Sequence, residues 1–391
     1  MSITWLNQLS EAHKKLLTAD HAYPFLQFAY LHALEQSGSV GPQTGWWPQH
    51  ALIESPSGQS IFLPHYLKSH SMGEYVFDHS WAEAYQRHGL AYYPKLINAI
   101  PFTPCQGPRS SDGELAHYLP NIIAHCQQQQ LSSWHGLFAH TDFADCLEKI
   151  PELLQRTSYQ FHWFNRNSQQ QPYADFAEFL NEMRSKARKN ILQERRKVVD
   201  QNLRIERIAG PDISAQHWQQ FYQFYAMTYL QRGHRPHLTP QFFELLGKNL
   251  GQQLHLQWVT HQGEAVAAAL FFEDQTTLYG RYWGCTQQFD ALHFETCYYR
   301  GIEYCIAKGL QRFDPGTQGE HKITRGFQPV ATPSLHWIAH PQFRAAIADF
   351  LTQEAQALKL YRQQCVEKLP FRIIEGPSSA AWPPLRWHEI D

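Results

Sequence analysis

Four side chains of complementary chemistry, Glu320, His321, Lys322 and Arg325, stand between Gly319 and Gly326 in the segment TQGEHKITRGFQP. Acyl transfer to an amine needs a neutral amine, an electrophile whose oxyanion is stabilised, and a proton acceptor. Lys322 and Arg325 suit a phosphate or oxyanion, and Glu320 or His321 suits the proton. Asp314 closes the extended stretch before Pro315-Gly316, where open α/β sheets bind ligands. It joins the catalytic candidates, and Gln318 in the same loop joins those for substrate binding. An acid or base placed correctly contributes about 10²–10⁴ in rate. The plainer alternative is a surface ion pair between Glu320 and Lys322, with Arg325 capping loop carbonyls.

Further polar groups gather elsewhere. Lys68, His70, Ser71, Glu74 and Asp78 surround Gly73, while Lys95 and Arg109 flank the PFTP turn. Polar groups this dense beside aromatics suit an acceptor cleft between two domains; the alternative is a degenerate copy that only stabilises its partner. Arg281 and Trp283 alternate on a strand, and we place them on the ligand side because an unpaired arginine is costly to bury. His293 and Glu295 complete this substrate-binding set, although the His-Phe-Glu triplet lacks the PCxxC of a zinc deaminase. The helix MRSKARKNILQERRKVVDQ turns Ala187, Ile191 and Val198 inward. Lys186, Arg188, Lys189, Arg195 and Arg196 cover the rest, as a solvated face or as a ridge for donor phosphates or a tRNA backbone.

These groups need positioning elements. Tyr298, Ile302, Cys305 and Ile306 give a helix over 292–308 one buried face, and Gly309 supplies its left-handed stop. A similar cassette stands earlier: WAEAYQRHGLAYYP matches Gly89-Leu90 to Gly309-Leu310 and Tyr93 to Phe313, and both copies reach a Phe-x-Pro. A duplicated unit is the economical explanation. Strands, including 75–78 and 91–95, alternate with helices throughout, among them 175–201, 215–229, 240–250 and 341–364. This predicts an α/β fold of mixed sheets flanked by helices. The polar break NRNSQQQP sets the boundary between domains 1–164 and 165–375, and a Pro-rich tail spans 376–391.

Bulk properties narrow the function. A chain of 391 residues accommodates two cores, and a net charge of −2 leaves no global field for nucleic acid or membrane. Seven cysteines without a CxxC pair argue against a disulfide framework or a structural zinc, and no histidine spacing suggests a catalytic metal. The longest apolar run, 265–272, is too short to span a bilayer, so a soluble, cytoplasmic protein is expected.

The chain resembles the FemAB-like group of N-acyltransferases, relatives of the Fem-type peptidoglycan aminoacyltransferases in the GNAT superfamily. The resemblance rests on YLKSHSMGEYVFDHSWAEAYQRHGLAYYPKLINAIPFTPCQGPR, SKARKNILQERRKVV, LYGRYWGC, LHFETCYYRGIEYC and FDPGTQGEHKITRGFQP. It implies two tandem GNAT-like domains and acyl transfer to an amine, with acyl-CoA or aminoacyl-tRNA as donor and a cell-wall precursor as acceptor. One departure is informative. The superfamily's Q/R-x-x-G-x-G/A phosphate loop is matched only by Arg281–Thr286, without the final small residue and with residues 287–291 before the helix. That favours the aminoacyl-tRNA side. The competing function is a non-catalytic module that recognises cell-wall fragments or tRNA.

Overall fold

The computed structural model describes residues 3–17, 22–54, 58–317 and 319–372. Gln318 and the tail 376–391 lie outside them. The chain forms two compact units, one of Met1–Ser158 with Thr332–Leu360, the other of Tyr159–Ala331 with Tyr361–Asp391. This corrects the single boundary expected after residue 164. The chain changes unit inside the strand Leu154–Phe164 and again inside the strand Gln328–Ile338, so each unit completes its sheet with a segment from the other half of the sequence.

In the first unit the main sheet runs Trp46–Pro48, His65–Lys68, Lys95–Asn98, Ser133–Leu137 and the later part of Gln328–Ile338. A smaller sheet joins Ile3–Leu6, His50–Glu54 and Ser60–Leu63. Lys95–Asn98 and Ser133–Leu137 pair in parallel, so the chain must cross over between them, and the helix Leu115–Gln128 does so. Leu119, Ile122, Leu96 and Trp134 are fully buried in the core beneath it.

In the second unit the order is Leu154–Phe164, Arg312–Asp314, Thr277–Cys285, Glu264–Glu273, Leu254–His261 and Leu203–Ala209. The central hairpin turns on Gln262 and Gly263, both at positive φ as a two-residue hairpin turn requires. Thr277–Tyr279 and Arg312–Asp314 are parallel neighbours, linked by the helix over 292–308. That helix carries a π turn, Glu295–Tyr299, between Leu292–Phe294 and Arg300–Lys308. Tyr298, Tyr299, Ile302 and Cys305 are buried against Phe271, Phe313 and Phe327. Burial is worth about 1.5–3 kcal/mol for each large apolar side chain.

The expected cassette repeat holds locally and fails topologically. Gly89 and Gly309 are both left-handed, at φ of 69° and 71°, and the following N–H returns five residues, Leu90 to Tyr85 at 3.0 Å and Leu310 to Cys305 at 2.9 Å. However, the helix His79–Arg87 leads between antiparallel neighbours, His65–Lys68 and Lys95–Asn98. The parallel crossover of the first unit is made by Leu115–Gln128 instead, so the two copies are one helix out of step. Tyr93 is not in a strand, and residues 75–78 form none either, with Gly73 and Tyr75 at positive φ. The long helix expected over 175–201 is two, Phe176–Asn181 and Ser185–Asp200, parted where Met183 bridges to Phe371.

Candidate functional site

The parallel pair of the second unit opens immediately after it forms. Its pairing ends at Tyr279 and Asp314, while the first strand continues to Cys285. Its register against Glu264–Glu273 shifts between Tyr282 and Gly280, making Arg281 the extra residue of a β-bulge. Bulges re-aim side chains beside functional sites. Tyr282 and Gly284 are buried and face the helix Ala215–Leu230, with the Tyr282 ring 5.4 Å from Tyr225. Arg281 and Trp283 are half-buried.

Aromatic and basic groups surround Trp283. Its ring centroid lies 5.5 Å from His293, which is 5.2 Å from Tyr298 and 6.3 Å from His321. The Tyr298 hydroxyl meets His321 Nε2 at 2.9 Å. Burial, aided by the charges of His321, Lys322 and Arg325, lowers His293 to about 4. His321 is also held below the ordinary histidine value, by partial burial and then by Lys322 and Arg325. Both imidazoles are therefore neutral at pH 7, the state in which a histidine accepts a proton.

The loop at the end of the short strand is braced from within. Lys322 Nζ, buried, donates to Gly316 O at 2.6 Å and Thr317 O at 3.3 Å. Asp314 Oδ1 accepts the Gly316 N–H at 2.9 Å and sits 3.6 Å from His162 Nε2. Burial pushes the Asp314 carboxyl up, but His162, the Gly316 N–H, Arg281 and Arg312 outweigh it and hold the group below its usual range. Burial lowers His162 to about 4, so at pH 7 this is a carboxylate beside a neutral imidazole, not an ion pair.

The remaining candidates of this unit fall into different settings. Glu320 is exposed and pairs with Lys368 at 3.3 Å rather than with Lys322. Arg325 is buried, stacked 3.5 Å from the Phe294 ring, with Glu194, the Tyr299 hydroxyl and His321 O as its acceptors. Glu295 is buried between Arg195, at 3.0 and 3.1 Å, and Arg300, at 3.0 Å, and so serves to join helices. Arg195 also meets Glu303 at 2.6 Å. This corrects the reading of Arg195 as a phosphate contact, because two carboxylates already neutralise it. Arg188 reaches Asn181 Oδ1 at 3.2 Å, while Lys186, Lys189 and Arg196 are exposed.

In the first unit Lys95 is fully buried and donates to Ser71 at 2.9 Å, Glu74 at 2.8 Å and Asp78 at 2.5 Å. Tyr92 adds a bond to Asp78 at 2.6 Å and one to His135 at 3.2 Å, and His135 meets His336 at 2.5 Å. Lys68 stands 3.7 Å over the Trp46 ring, donates to Met72 O, and is lowered by burial to about 6. His70 bonds Thr44 O at 3.0 Å. Arg109 is a correction. Its guanidinium is buried and donates to the carbonyls of Leu137, Gly107, Pro108 and Cys105, so it folds the loop and is not available to a substrate.

Sequence reasoning missed Glu194, Tyr298, His162 and His135. Glu194 had a signal, as the acid in the middle of a basic helix whose other acid, Asp200, is its last residue. His135 and His162 alternate with strand residues and look like any buried position.

The FemAB-like family model, described as peptidoglycan biosynthesis/recognition, matches residues 5–373. The chain belongs to the FemAB-like family. Two solved structures share the fold of this FemAB-like chain. FemX is 10% identical, covering 89% of this chain and 100% of its own at a TM-score of 0.51. A conserved protein of unknown function from Bacteroides thetaiotaomicron VPI-5482 is 11% identical, covering 86% and 100% at a TM-score of 0.50. No curated protein matches the sequence. The α/β fold, in two units whose mixed sheets are flanked by helices, is the one expected. Among the described residues, no helix is long and apolar enough to cross a membrane. At the coarse level that the family defines, this FemAB-like chain takes part in peptidoglycan biosynthesis or recognition.

Proposed function

We propose that the protein transfers an aminoacyl or acyl group from an activated donor to the amine of a cell-wall precursor, with His321 as proton acceptor. One observation carries the reading: the opened parallel pair is bordered by Trp283, His293, Tyr298 and His321, and two of these are neutral imidazoles beside fixed positive charge. The amine attacks the acyl carbonyl, the C–N bond forms, and the donor's ester or thioester bond breaks. His321 takes the proton that the amine nitrogen must lose, and the departing oxygen or sulfur is protonated in turn. Lys322 lends its charge to the developing oxyanion, while Arg325, paired with Glu194, holds the loop in place.

Aminoacyl-tRNA is the donor we favour over acyl-CoA. Six residues, Thr286–Ala291, separate the strand from the helix, and Ala291 enters it at φ 61°. This geometry does not provide the tight glycine turn on which a helix start cradles pyrophosphate. Either donor places the reaction in the cytoplasm.

The test is transfer of labelled amino acid from charged tRNA, and of acetyl from acetyl-CoA, to a muropeptide amine. His321→Ala is the variant of choice because the ring is exposed and bonded to one hydroxyl. We expect turnover to fall at least about 10²-fold with folding retained. Unchanged turnover overturns the role of His321. No turnover of the native chain with any donor, while muropeptide or tRNA still binds, favours the recognition module.

A further inference from the structure

The second unit contains a cavity of about 370 Å³ that the transfer site does not use. Its floor is Arg325, Glu194 and Tyr299, the last supplied by the end of the π turn Glu295–Tyr299. π turns inside helices mark functional positions more often than scaffold ones. On this floor the Arg325 charge is matched by the Glu194 carboxylate at 2.6 Å, and the Tyr299 hydroxyl bonds both. The floor is therefore neutral and rigid.

The rim is not neutral. Arg184 donates two of its guanidinium N–H groups to the carbonyls of Leu369 and Pro370, and among the described residues no carboxylate pairs with it. Lys186 is exposed, and Lys368, which also lines the cavity, pairs with Glu320 among the described residues, both side chains about half-exposed. Three cations thus converge on one concavity in a chain whose net charge is −2. Ala187, Ile191 and Pro370 add an apolar wall, and Asn190 an amide. Ligand pockets of about 300–1,000 Å³ take small molecules, and convergent cations beside an apolar wall select an anionic group carried on an organic body.

We infer that this cavity binds a small organic diphosphate, with Lys186, Lys368 and Arg184 on the phosphates and the apolar wall against the remainder. A nucleic acid is the poorer fit. The exposed bases of the helix Ser185–Asp200 that would track a backbone, Lys189 and Arg196, do not line the cavity, and Arg195 is neutralised. This inference stands apart from the transfer reaction, and its test does not require turnover.

The experiment is calorimetric titration of the full chain with inorganic pyrophosphate, adenosine diphosphate and uncharged tRNA. The native chain is compared with the Lys186→Ala/Lys368→Ala double variant and with Lys189→Ala as a control for general surface charge. We expect both diphosphates to bind, the organic one more tightly, with at least a tenfold loss in the double variant and less than a twofold change in the control. Absence of binding at millimolar pyrophosphate and adenosine diphosphate overturns the inference. So does equal binding by the double variant. An equal loss in Lys189→Ala, accompanied by tRNA binding that pyrophosphate does not displace, also overturns it, because the whole helix face would then be the anion site.

Discussion

Glu194 and Arg325 form a two-pronged pair, with Oε1 2.6 Å from Nη2 and Oε2 3.2 Å from Nε. They join the long basic helix to the glycine-bounded loop that carries His321. Arg325 is buried while Glu194 keeps about a quarter of its side chain exposed, so the pair is worth more than a surface bridge and less than a fully buried one. We expect Glu194→Ala to destabilise the second unit by about 2–3 kcal/mol, because it leaves a buried guanidinium without its carboxylate. Arg325→Lys should not rescue the loss, since an ammonium cannot reproduce the fork. Urea unfolding of the variants decides the point, and an Arg325→Lys midpoint equal to the native one refutes it.

The strand bordering the site is fixed by a contact that no side chain could replace. A Cβ on Gly284 would stand 1.9 Å from the backbone oxygen of Phe224, in a helix also tied to the strand by Thr228 Oγ1 donating to Trp283 O at 3.0 Å. Backbone cannot step aside as a side-chain tip can. Gly284→Ala should therefore cost at least about 3 kcal/mol. By contrast Gly263→Ala, with open space around its Cβ, suffers only the strain of φ 86°, costing about 1–2 kcal/mol. Thermal unfolding should rank them in that order, and the reverse order would disprove the packing argument.

Much of the second unit was legible because its signals are local. The Gln262-Gly263 hairpin, the Gly309 stop and the 3.6-residue stripe over 292–308 each follow from neighbouring residues, and each is observed. The chain exchange was not legible. Pro329 and Pro333 interrupt the sequence of Gln328–Ile338, and nothing local reveals that its Ser334–Ile338 part pairs with Ser133–Leu137, about two hundred residues earlier. At the site, residue types were easier to read than partners. The run Glu320 to Arg325 was correctly seen as dense in charge, yet Lys322 turns to backbone carbonyls and Glu320 to Lys368, choices made by the tertiary fold.

The buried network of the first unit can be tested by removing its centre. Lys95 is charged because Glu74 and Asp78 outweigh the cost of burying it, and it holds both carboxylates at once. Lys95→Met would leave two buried acids whose other basic neighbour, Lys68, stands 4.0 Å from Glu74 and is itself pushed by burial toward its neutral form. A loss of about 3–5 kcal/mol is expected. Glu74→Gln should cost less, since Lys95 keeps Asp78. Denaturant midpoints that place Glu74→Gln below Lys95→Met would show that Lys95 is not the organising charge.

Acid stability should depend on histidines that the fold keeps neutral. His255 is fully buried, stacked 5.1 Å from Phe271 with planes 8° apart, and burial followed by the charges of Arg207 and Lys308 lowers it to about 3. In the unfolded chain it titrates near about 6.5. Between those values the unfolded state binds the extra proton, so the stability that His255 contributes is complete above about pH 6.5 and is lost as pH falls toward 3. The slope is about 1.4 kcal/mol per pH unit for one histidine. His65 and His336, lowered to about 3, and His162 and His293, lowered to about 4, act in the same direction, while Glu74, raised by burial, opposes them. His255→Phe keeps the stack and removes the titrating group, whose Nε2 has no hydrogen-bond partner among the described residues. Unfolding free energies measured from pH 7 to 4.5 should then fall less steeply by about one proton's worth. An unchanged slope would mean that His255 does not titrate on unfolding in that range.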